Sequence, residues 1–145
     1  MTMRINTCSL AISFSKELEN KSAEFYRGLA ESAKKDKDVF LSFAEENRRF
    51  VIQIERTYYG VISDAIEGCF AFDMKPEEYT YKTEIPENIS YSEALERAIE
   101  MEEKIIKYYI DAAEQSKSLM ADIPRVFKIV AKKREGRRSM LKSLL

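Results

Sequence analysis

The sequence predicts an all-α fold, an antiparallel four-helix bundle built from two helical hairpins and a long crossover. Three observations predict it. Apolar residues recur at i, i+3, i+4 and i+7 over four segments. Glycine and proline number only 4 and 3 in 145 residues, too few for a turn-rich β sandwich or barrel. The two halves of the chain resemble each other in pattern and order.

The first helix is expected over residues 9–34 and the second over 38–66. Only a short Lys/Asp turn separates them, so they pair as antiparallel neighbours. The third starts at Ser90, where Ser90 and Glu93 form a capping-box pattern, and runs to about Ser116. Asp122 is the expected N-cap of the fourth, with Pro124 tolerated in the first turn and an end at Leu145. The one long irregular stretch, residues 68–89, holds Pro76 and Pro86. The chain reads as one domain, with hairpins over 9–67 and 90–145.

The halves repeat in detail. Glu19 precedes Tyr26 by seven residues, and Glu102 precedes Tyr109 by seven. Ala30-Glu31 and Ala113-Glu114 each begin four residues after the tyrosine. Phe40-x-x-Phe43-Ala44 in the second helix matches Phe127-x-x-Val130-Ala131 in the fourth. One helical hairpin is used twice.

Each apolar stripe carries one polar residue near its middle. Glu102 shares a face with Leu95, Ala98, Ile99, Ile105, Ile106 and Tyr109. Glu19 shares one with Ile12, Ser15, Ser22, Ala23 and Tyr26. In the second helix Asn47 interrupts Phe40, Phe43, Ala44, Val51, Ile54 and Tyr58, with Phe50 one turn on. In the fourth, Arg134 interrupts Phe127, Val130, Ala131, Leu141 and Leu145, with Arg137 and Arg138 beside it. A charge in such a stripe is costly unless paired. The expectation is a buried polar network of Glu19, Asn47, Glu102, Arg134 and Arg137, flanked by Tyr26, Phe50 and Tyr109. The bland alternative has one or two of them snorkelling at a stripe edge.

Composition bounds the chemistry. The chain has no histidine, which excludes Ser-His-Asp and Cys-His catalysis and every imidazole-dependent metal site. Net charge is −1, so nothing global argues for nucleic acid or an anionic membrane. The basic run from Lys132 to Arg138 reads as a partly solvated helix face. Cys8 and Cys69 form no CxxC pair and suit a reducing compartment. No signal-type leader or spanning segment is seen. The expected setting is the cytoplasm.

Taken together, Leu18-Glu19…Phe25-Tyr26, Phe40-Leu41-Ser42-Phe43-Ala44-Glu45-Glu46 and Ala98-Ile99…Glu102…Tyr109 resemble the rubrerythrin-like branch of the ferritin-like superfamily over nearly the whole chain. The resemblance implies a di-iron site made from one glutamate on each of two helices and a Glu-x-x-His pair on each of the others. Glu19 and Glu102 match the single glutamates. The pairs fall at Asn47 and Phe50, and at Arg134 and Arg137. An alternative register uses Glu46 with Arg49 and Glu135 with Arg138. It also lacks both histidines, and it turns Glu46 off the stripe. No Cys-rich segment corresponds to the rubredoxin-like iron domain of full rubrerythrins.

Three function classes follow. The first is a ferritin-like bundle whose metal site has become an internal Glu/Arg/Asn network, with no cofactor, acting as a structural or interaction module. The second is a metal-dependent peroxidase or oxidase that keeps iron or another divalent metal on Glu19 and Glu102, with Tyr26 and Tyr109 alongside. The third is a binder of a small anionic ligand in the bundle interior or under the crossover. A homodimer is the expected assembly. Neither nucleic acid nor membrane is expected as a partner.

Overall fold

Thr7 starts the first helix, its hydroxyl accepting the Leu10 amide at 3.2 Å. In the computed structural model, which describes residues 4–33, 35–61 and 71–145, this helix is α1, Cys8–Ser32. The Ala33 amide closes it onto the Leu29 carbonyl. The turn that follows puts Asp36 in the left-handed region, φ 61, which a short polar side chain tolerates. The Asp36 carbonyl then receives the Val39 and Phe40 amides as α2 begins. α2 is Lys37–Val61. Its expected continuation to residue 66, the start of the crossover and Cys69 lie outside the described residues.

Ser90 caps α3, Tyr91–Gln115, by accepting the Glu93 amide at 3.1 Å. The Tyr91 hydroxyl donates to the Asp36 carboxylate, tying the start of α3 to the α1–α2 turn. α4 is Asp122–Leu144. Here the expected cap is corrected. Ala121 holds the cap position with no side-chain bond, and Asp122 is the first helical residue. Ala121 is already in the right-handed helical region, which moves the start one residue upstream. Asp122 in the first turn still suits the helix dipole and sits 3.2 Å from Arg125.

α1 packs along α2 and α3 along α4, with lighter contacts between α2 and α4 and between α1 and α3. The result is an all-α four-helix bundle. Its centre is made of buried aromatics and aliphatics from all four helices, with Cys8 buried at one end. Leu145 leaves the expected α4 stripe and is 56% exposed, because the helix ends one residue before it. Among the described residues, no helix is long and apolar enough to cross a membrane.

The described part of the crossover is less irregular than expected. Ile5 and Met74 exchange two 3.0 Å backbone hydrogen bonds in an isolated antiparallel bridge. Pro76–Tyr79 forms one turn of 3-10 helix. The Tyr79 hydroxyl then donates to Asp111 on α3, and the Tyr81 hydroxyl to the Leu18 carbonyl on α1, both at 2.7 Å. These bonds hold the segment against both helices.

Candidate functional site: a buried charge network

The four polar residues at the stripe centres, together with Arg137, meet in the core. Glu19, Glu102 and Arg134 are 0% exposed, Asn47 is 1% and Arg137 is 3%. Arg134 is the hub. Its Nη1 donates to Glu102 Oε1 at 2.6 Å. Its Nη2 and Nε donate to the two oxygens of Glu19 at 2.6 and 3.2 Å. Nη2 also reaches Asn47 Oδ1 at 3.2 Å and Ser22 Oγ at 3.4 Å. A fixed fork of five donors suits two facing carboxylates.

Two tyrosines complete the carboxylate shells. Tyr109 on α3 donates to Glu19 on α1 at 2.6 Å, and Tyr26 on α1 donates to Glu102 on α3. Burial pushes both phenols well above their ordinary pKa, and the adjoining carboxylate adds to the shift in each case. Burial opposes the charge on Arg134, but Glu102 and Glu19 outweigh it and hold the guanidinium above its ordinary value.

Arg137 extends the network outward. Its Nη1 donates to Asn47 Oδ1 at 2.6 Å and lies 3.6 Å from Glu102. Its Nη2 donates to the Phe43 carbonyl and, at 2.6 Å, to Glu46. Aromatic rings surround it, with centroids 4.6 Å (Phe43), 5.4 Å (Tyr26) and 5.5 Å (Phe50) from the guanidinium carbon. Its Nε is buried and makes no hydrogen bond with the described residues. Phe50 also faces Arg134 at 5.6 Å.

The structure thus places Asn47 and Arg134 inward, whereas Glu46 sits at the rim with its side chain 36% exposed. Glu46 was missed as a network member because periodicity turns it off the apolar stripe. Its long side chain reaches back to Arg137 all the same. A second polar layer was also missed. Ser15 and Tyr108 lie 3.0 Å apart, and each bonds the Ala11 carbonyl. Ser15 on the Glu19 face was its one sequence signal. Gly136 in α4 faces open space, since a Cβ there would meet none of the described residues within 4 Å.

The donor set does not fit a di-iron centre. Among the described residues, no three His, Cys, Asp or Glu side chains gather in a metal-holding group. The guanidinium of Arg134 lies between the two glutamates that the resemblance assigns as ligands. It cannot ligate, and its permanent charge repels a cation.

Fold and site together define an all-α four-helix bundle with an enclosed Glu–Arg–Asn–Tyr network. No family model, curated protein or solved structure matches the chain.

Proposed function

We propose that this protein is a ferritin-like bundle of rubrerythrin type, two antiparallel hairpins in which an internal ion network stands where the family's di-iron site would be. It acts as a non-catalytic structural or interaction module in the cytoplasm. One observation carries the reading. Arg134 contacts Glu19 and Glu102 at 2.6 Å each, so one fixed cation bridges the pair that would otherwise need metal, and Arg137, 3.6 Å from Glu102, brings the second positive charge. The crosswise tyrosines and Asn47 then fill the remaining hydrogen-bond positions. With every member of the centre buried, the network has structural work to do and no open face for a substrate.

Metal analysis tests this. Protein purified from its native host is expected to carry far less than one iron, manganese or zinc per chain, and to lack peroxidase activity. A stoichiometric metal that is lost in Glu19→Ala overturns the reading in favour of the metal-dependent oxidoreductase. A symmetric homodimer belongs to the same proposal. Leu41, Ile52 and Tyr59 supply exposed apolar surface along α2 for it. Sedimentation equilibrium is expected to give twice the chain mass.

A further inference from the structure

From Met74 to Tyr81 the crossover runs beside α1, held at one end by the Ile5–Met74 bridge and at the other by the Tyr81–Leu18 bond. Between those anchors the two walls do not close. They leave a trough of about 440 Å³. That lies within the usual range for small-molecule sites. Along α1 it reaches from Leu10 to Lys21, about 16 Å at the helical rise.

The floor is apolar for a specific reason. Tyr79 and Tyr81 both line the trough, but their hydroxyls are engaged with Asp111 and the Leu18 carbonyl. Phe14 meets the Tyr79 ring edge-on at 6.3 Å. Both ends carry charge: at the far end Lys21 is paired with Glu17 at 3.0 Å, and at the near end stands Arg4. Arg4 contacts Asp73 through Nε at 2.5 Å, in a pair whose side chains are 55% and 71% exposed. Exposed pairs are weak, and one contact does not exhaust a guanidinium with five donors. The same end therefore has room for a second carboxylate.

We propose that this trough binds a linear amphipathic carboxylate, with its head on Arg4 and its chain along Leu10, Phe14 and Leu18. An elongated apolar floor matches that ligand class, and of the two end cations it is Arg4, bound to Asp73 through Nε alone, whose fork keeps donors for a carboxylate. A polar ligand such as a sugar would leave its hydroxyls facing rings and methyls. The site is separate from the charge network and does not depend on how that network arose.

Calorimetric titration of the full chain with hexanoate, octanoate, decanoate and decanol tests the assignment. Decanoate is expected to saturate at one per chain. Each added methylene should tighten binding by up to about fourfold. Arg4→Ala is expected to weaken decanoate about tenfold and leave decanol unchanged. Ser13→Trp fills the trough from an exposed position and is expected to abolish binding while the far-UV dichroism stays intact. Three results overturn the proposal: no saturable decanoate binding, equal affinity in Arg4→Ala, or unchanged binding in Ser13→Trp.

Discussion

Tyr109 of α3 donates to Glu19 of α1 at 2.6 Å, and the same bond recurs in mirror sense from Tyr26 of α1 to Glu102 of α3. Each tyrosine lies seven residues after its own helix's glutamate and serves the other helix's. The sequence repeat is thus a spatial exchange that stitches the hairpins together. The exchange is symmetric but the cation is not. Asn47 and Arg134 hold matching positions, so a single guanidinium serves both carboxylates.

Removing one phenol tests the stitch. Tyr109→Phe leaves a buried carboxylate short of one donor, and Tyr26→Phe does the same on the other side. Hydrogen bonds to charged groups contribute about 1.5–3 kcal/mol, so each variant should lose roughly that much in urea denaturation. The shared tyrosine–glutamate bond predicts a loss at both positions. A loss at one position and none at the other would mean that the exchange is not a symmetric device.

Arg134→Met breaks the network at its hub, leaving Glu19 buried without a cation and Glu102 with only Arg137, 3.6 Å away. The expected cost is about 3–5 kcal/mol. Replacing the set together is different. Glu19→Leu, Glu102→Met, Arg134→Met, Tyr26→Phe and Tyr109→Phe in one chain should range from neutral to about 1–4 kcal/mol more stable than the wild type. Chemical denaturation of both variants decides. If the single variant is as stable as the five-fold one, the carboxylates do not depend on Arg134.

How much of this was legible follows from side-chain reach. Glu19, Asn47, Glu102 and Arg134 were legible because helical periodicity fixes their faces and a charge on an apolar face demands partners. Their pairing was only partly so. Both arginines were candidates for both glutamates. In the structure Arg134 hydrogen-bonds both, while Arg137 bonds Asn47 and Glu46 and stands 3.6 Å from Glu102. Glu46 escaped because face analysis follows Cβ directions and not the length of the chain beyond them. The Ile5–Met74 bridge escaped for another reason. It pairs residues 69 positions apart, and no local pattern encodes such a contact.

The buried phenols also set a pH limit. Tyr26 and Tyr109 keep their protons well above the ordinary tyrosine value when folded, and titrate near pH 10 when unfolded. Above pH 10 the unfolded chain releases protons that the folded chain retains. Stability is therefore intact below pH 10 and falls as pH rises beyond it. Each tyrosine contributes about 1.4 kcal/mol per pH unit in that window. Denaturation between pH 8 and 11 should show a flat region and then a decline. The double variant Tyr26→Phe, Tyr109→Phe should decline less steeply, by about 2.7 kcal/mol per unit. An equal slope in both proteins would mean that neither phenol is held protonated by the fold.

Gly136 lies inside α4 and is exposed, with open space where a Cβ would stand. Glycine in a helix interior costs about 0.8–1.0 kcal/mol relative to alanine. Gly136→Ala should therefore stabilise the isolated protein by about that amount and raise Tm by about 2–4 °C. Gly28 in α1 makes the useful comparison. A Cβ there would stand 3.5 Å from Ile85 Cδ1, an ordinary contact, so Gly28→Ala should gain the propensity term and a packing contact as well. Thermal scans of the two variants at several concentrations separate fold from assembly. If Gly136→Ala lowers Tm more as concentration rises, a second copy approaches α4 closely at that glycine. A gain at every concentration means that the position serves neither the core nor an interface, and only weakens the helix that carries Arg134 and Arg137.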